Sequence, residues 1–86
     1  MFSEINNRSF NINNEKIKSI IEFVIKKKLH KEESLLDDGI LDSLMTLNLI
    51  NELENSFSIR ISTDDFTHYN FNSVKAINEM IKRTLG

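Results

Sequence analysis

Residues 37–57 read DDGILDSLMTLNLINELENSF, an acidic loop with one glycine that runs straight into a stretch of helical period. At about 100° per residue, Thr46, Leu49, Ile50, Leu53 and Phe57 fall within an arc of about 100° and must face a core. The same projection puts Leu44 nearly opposite that stripe, beside Asn48, Asn51 and Asn55, with Leu47 at the flank. Asp42 stands just before the period begins, where a carboxylate satisfies the unpaired N–H groups of a first turn. The predicted helix spans Ser43–Ser56 and places an apolar side chain on its solvent face one position after it starts. A lone exposed leucine is common. One beside a serine at a helix N-terminus is worth weighing as a recognition feature.

Upstream, residues 29–42 form a long loop in which Leu35, Leu36, Ile40 and Leu41 are the candidate anchors. Before it, Ile17, Ile20, Ile21 and Val24 recur at helical spacing with Ile25 at the edge, and Asn13 or Asn14 precedes Glu15 as an N-cap. This is a first helix over about residues 14–28. Residues 1–12 show no sustained period and are expected to be a flexible leader, with Phe2 or Phe10 as docking residues, while 13–86 form the domain proper. Downstream, Ser58–Ser62 alternates polar and apolar but has no partner strand, so it reads as an extended connector. Thr63 with Asp64 and Asp65 reads as the capped start of a short helix carrying Phe66. Asn72 reads as the cap of a last helix with a stripe of Val74, Ile77, Ile81 and Leu85. The fold expected is all-α, a four-helix bundle of three long helices and one short, with the long loop between helices one and two.

Composition narrows the functions open to such a chain. Eighty-six residues fold to a surface of roughly 5,000 Å², enough for one core and too little for a deep cleft with its supporting shell. There is no Cys, which excludes a disulfide framework, a thiolate zinc site and a cysteine nucleophile. Pro is absent and Gly occurs only at Gly39 and Gly86, which disfavours tight hairpins and Gly-rich phosphate loops. No apolar run approaches the 18 or so residues of a membrane span, and the polar start shows no signal peptide, so a cytoplasmic protein without membrane insertion is expected. The net charge of −2 is unevenly spread: residues 1–31 hold seven Lys/Arg against three acids, residues 32–86 four against ten. Lys26, Lys27, Lys28 and Lys31 read either as a nucleic-acid patch or as a solvated helix C-terminus, where cations are favoured. No aromatic interleaves these lysines and the remaining chain is acidic, which favours the second reading, without nucleic acid.

Several chemistries fail on spacing. A calcium loop with Gly39 at its sixth position needs acids where Ser34 and Leu36 stand and a Glu where Met45 stands. His30 and His68 each lack a second ligand at metal spacing. Ile40-Leu41-Asp42-Ser43-Leu44 lacks the glycines of a nucleophile elbow.

The run Asp37-Asp38-Gly39-Ile40-Leu41-Asp42-Ser43-Leu44 before a helix resembles the acyl carrier protein family, in which the serine of an Asp-Ser-Leu motif bears 4′-phosphopantetheine. The resemblance covers about residues 14–85 and extends through LMTLNLINELENSF, Ile59-Arg60-Ile61 and Asp65-Phe66. It implies that the protein is a carrier rather than an enzyme, with Ser43 taking 4′-phosphopantetheine from coenzyme A and holding acyl or aminoacyl cargo as a thioester. It further implies a monomer whose partners are a phosphopantetheinyl transferase, an acyl- or aminoacyl-activating ligase, and a downstream acyltransferase or synthase. These would meet a patch of Asp42, Leu44, Met45, Leu47, Asn48 and Asn51. A phosphodiester suits a helix N-terminus on physical grounds, and in a Cys-free chain the prosthetic group supplies the one thiol.

The departures point to a branch. Carriers of fatty-acid synthesis typically have Gly-Ala before the motif and acids where Met45 and Asn48 stand, although Glu52 and Glu54 remain here. The pattern looks more like D-alanyl carrier proteins and stand-alone carriers served by adenylating ligases, except that Ser62 stands where these usually have Pro. The alternatives are a fatty-acid or polyketide carrier, an unmodified helical interaction module, a small enzyme using Ser43, and Asp42-Ser43 acting as a plain helix cap.

Overall fold

Asn13 ends the extended approach to the first helix and caps it, its Oδ1 accepting the Lys16 N–H at 2.8 Å. The computed structural model describes residues 12–30 and 33–85. The leader reading of residues 1–11, with Phe2 and Phe10, lies outside them, and Ile12, the last residue of that stretch, is buried. Helix α1 (Asn14–Ile25) buries Ile17, Ile20, Ile21 and Ile25, while Val24 is half-buried, so the apolar stripe is centred slightly off its predicted line.

Helix α1 stops about three residues short of its expected end, and α2 (Ser43–Phe57) stops by the same device. Lys26 and Ser58 both take the left-handed conformation, with φ of 63° and 56°, and each donates its N–H to the carbonyl of the glutamate four residues back, Glu22 or Glu54. That glutamate's carboxylate then accepts the N–H of the residue seven positions on: Leu29 at 2.7 Å and Ile61 at 2.9 Å. Left-handed backbone costs a residue with a side chain about 1–2 kcal/mol. A hydrogen bond to a charged acceptor contributes about 1.5–3 kcal/mol, and Leu29 and Ile61 are both buried. The two turns are thus held without glycine. Lys26, Lys27 and Lys28 accordingly lie beyond the last helical turn, exposed, rather than within it as the sequence reading has them.

After α2 the chain follows the expected extended path, with no strand among the described residues. The next segment departs from the expected short helix carrying Phe66. Thr63–Asp65 is a single 3₁₀ turn capped by Ser62, whose Oγ accepts the Asp64 N–H at 3.1 Å, and Phe66 lies past it. The short helix is α3 (His68–Phe71), capped by Thr67 through its Oγ1 and the Asn70 N–H at 3.2 Å. Phe71 is the buried anchor, with the partly exposed Phe66 meeting it edge-on at a ring-centroid distance of 6.4 Å. Helix α4 (Val74–Leu85) is capped by Ser73, which accepts the Ala76 N–H at 3.0 Å, and not by Asn72. It buries Ile77, Asn78, Met80 and Ile81 and leaves Leu85 exposed.

α1 packs on both α2 and α4, and α3 packs on α4. Buried Asn70 links α3 to its neighbours: its Nδ2 donates to the Asp65 carbonyl at 2.9 Å and its Oδ1 accepts from Arg83 at 3.1 Å. The described residues therefore form the expected all-α bundle of three long helices and one short, with the long loop between α1 and α2.

Candidate functional site

The loop ahead of α2 folds around fully buried Leu35, whose carbonyl accepts the N–H of both Ile40 and Leu41 at 2.9 Å. Asp38 N–H donates to the Ser34 carbonyl at 2.7 Å, and Asp38 Oδ2 accepts the Ser34 N–H at 3.0 Å. Gly39 closes the turn at φ +76°, a conformation that glycine adopts without a Cβ penalty. Of the predicted anchors, Leu35 and Leu41 are buried, and Leu36 and Ile40 are half-buried against the core.

Pinning Leu41 puts Asp42 at the mouth of α2. Its Oδ1 accepts the Met45 N–H at 2.8 Å, and its carbonyl accepts the Thr46 N–H at 2.9 Å and the Thr46 hydroxyl at 2.8 Å. Asp42 is the N-cap that the sequence predicts. Ser43 is the first residue of the helix and is exposed. Among the described residues no hydrogen bond engages its hydroxyl or takes the N–H of Ser43 or Leu44. A free hydroxyl thus stands at the positive end of a fifteen-residue helix, beside two unpartnered amides.

The surface beside it is apolar and neutral. Leu44 and Leu47 keep 67% and 55% of their surface. Asn48 and Asn51 are exposed on the same side, and Asp42 is exposed at the helix mouth. Met45 is half-buried against the core, since its position leans toward Leu49, and so contributes only part of its side chain to this patch.

Two residues from beyond α2, Asn72 and His68, converge on the loop through contacts that no local pattern in the sequence announces. Asn72 Oδ1 accepts the N–H of Leu36 at 2.9 Å and of Asp37 at 3.1 Å; its Nδ2 donates to Asp37 Oδ2 at 3.1 Å; its carbonyl accepts the Leu35 N–H at 2.8 Å. Asp37 Oδ1 lies 3.0 Å from His68 Nε2, both side chains being more than half exposed. The pair joins α3 to the loop.

No helix among the described residues is long and apolar enough to cross a membrane. The chain matches the family described as the phosphopantetheine attachment site over residues 15–81. It is similar to the D-alanyl carrier protein of Streptococcus uberis, 46% identical over 52 residues that make up 60% of this chain and 66% of that protein. The D-alanyl carrier proteins of Streptococcus sanguinis and Streptococcus gordonii are each 44% identical over 48 residues, 56% of this chain and 61% of theirs. Each match spans less than two thirds of the relative's own length.

Proposed function

Because the chain belongs to the phosphopantetheine attachment family, we propose that it is an acyl or aminoacyl carrier whose cargo rides on a 4′-phosphopantetheine arm joined to Ser43 Oγ. The observation that supports this most is the exposed hydroxyl of Ser43, unengaged among the described residues, at the capped start of α2 and inside the matched region. The residues fit a phosphodiester: the free amides of Ser43 and Leu44 and the helix dipole favour an anion there. Asp42, itself an anion, has one carboxylate oxygen engaged by the Met45 N–H.

In the modification, Ser43 Oγ attacks the pantetheine-side phosphorus of the coenzyme A pyrophosphate, and the nucleotide half leaves with the other phosphate. A new O–P bond forms, the bond to the nucleotide half breaks, and the hydroxyl proton passes to a base on the transferase, with magnesium held by transferase or substrate. Once attached, the arm supplies the terminal thiol on which a carboxylic acid is held as a thioester. Asp42 holds the helix start. Leu44, Leu47, Asn48, Asn51 and the exposed part of Met45 form the partner-facing patch, so docking depends less on charge than it would on an acidic helix. Weak, exchanging contacts suit a surface that a transferase, a loading ligase and a downstream acyltransferase or synthase share in turn. The likeness to D-alanyl carrier proteins supports loading by an adenylating ligase, with D-alanine the first amino acid to test. Dependence on coenzyme A supports a cytoplasmic setting.

Incubation of the apo-protein with coenzyme A, magnesium and a broad-specificity transferase is expected to add one phosphopantetheinyl group, read by intact mass, and Ser43→Ala to abolish it. An adduct that persists in Ser43→Ala would refute the assignment.

A further inference from the structure

The structure assigns Asn72 as a positioning residue for the modification of Ser43, an inference that rests on the carrier reading above. Asn72 lies between α3 and α4, yet four of its hydrogen bonds go to residues 35–37, at 2.8–3.1 Å. Each end of its amide is matched to the loop: Oδ1 faces two backbone donors, and Nδ2 faces the Asp37 carboxylate. The connection continues toward the site. Leu35, whose N–H is bound to the Asn72 carbonyl, uses its own carbonyl to hold the amides of Ile40 and Leu41. Leu41 is buried, and the next two residues are the cap Asp42 and the acceptor Ser43. The side chain of Asn72 fixes Leu36 and Asp37, and its backbone carbonyl fixes Leu35 beside them, so side chain and main chain together set where the loop leading to α2 runs.

The effect expected is on recognition, not on chemistry, because Asn72 belongs to neither the α2 patch nor the helix mouth. A transferase that binds one arrangement of loop and helix start binds more weakly in proportion to the fraction of molecules that hold it. Once bound, the complex contains the same Ser43 in the same setting. Loss of the Asn72 side chain should therefore raise KM for the apo-protein and leave kcat alone.

The test is steady-state modification of the full apo-chain with coenzyme A and a broad-specificity transferase, for the unaltered protein, Asn72→Ala, Asn72→Asp, and the exchange Asp37→Asn/Asn72→Asp. Asn72→Ala should raise KM about tenfold with kcat within about twofold. Asn72→Asp should do at least as much, because it sets two carboxylates against each other. The exchange, which restores one amide facing one carboxylate, should return KM to within about twofold of the unaltered value. Should Asn72→Ala fail to fold by circular dichroism, Asp37→Ala, which removes the Asn72 Nδ2 bond and the His68 contact but keeps both backbone bonds to Asn72 Oδ1, should show a smaller KM rise of the same kind, and His68→Ala, which removes the His68 contact alone, should show none. Unchanged KM in a folded Asn72→Ala protein would overturn the inference, as would an exchange that restores the thermal midpoint but not KM. An unaltered protein that is not modified at all would instead refute the carrier reading and take this inference with it.

Discussion

Along α2, Leu49, Ile50, Leu53 and Phe57 keep at most 5% of their surface, whereas Leu44 and Leu47, on the same helix, keep 67% and 55%. The buried set is explained by folding alone, since it seals the helix onto the rest of the bundle. The exposed leucines gain nothing comparable from the fold. Their neighbours Asn48 and Asn51 are uncharged, so the outer side of the helix start is a surface that another protein can dehydrate at low cost. On the proposed reading, stability and recognition thus occupy opposite sides of one helix and meet at its mouth, where Asp42 and Ser43 stand.

That division can be broken by substitution. Leu53→Ala should cost roughly 2–5 kcal/mol through the cavity it leaves, read by denaturant or thermal midpoint. A loss below about 1 kcal/mol would mean that the inner face is not the core face. Asp42→Ala lies on the boundary and should cost about 1 kcal/mol by removing the cap on the Met45 N–H. It should also slow transferase modification, whereas a purely structural cap would alter the midpoint alone. Leu44→Ala should leave stability within about 0.5 kcal/mol while weakening loading of the holo-protein by an adenylating ligase. If it destabilises as much as Leu53→Ala, the two-faced description of α2 is wrong.

The sequence made some of this legible and hid the rest for definite reasons. The two sides of α2 follow from period alone, and Asp42 announces itself as a cap because its bonds run to residues three and four positions on. Leu35 and Leu41 could be read as anchors because apolar residues in an acidic loop need burial. Asn72 could not be read. It looks like a helix cap, but the cap is Ser73, and the partners of Asn72 lie about 35 positions away, beyond any local pattern. The end of α1 is hidden in the sequence because the usual stop signal, glycine, is missing. Lys26 adopts the left-handed turn with support from Glu22, a device visible only when the Glu54–Ser58–Ile61 turn is set beside it. The short helix starts later than the sequence suggests because both Ser62 and Thr67 cap the chain within a few residues, and only burial of Phe71 rather than Phe66 separates the turn from the helix.

Whether Ser43 carries the prosthetic group is read most directly from the intact mass of the protein isolated from its own host, with fragmentation to locate any adduct. A single phosphopantetheinyl group on Ser43 is expected, part of the population bearing a further hydroxylamine-labile acyl or aminoacyl group. An unmodified mass, or an adduct on Ser34, Ser56, Ser58 or Ser73, would contradict this assignment.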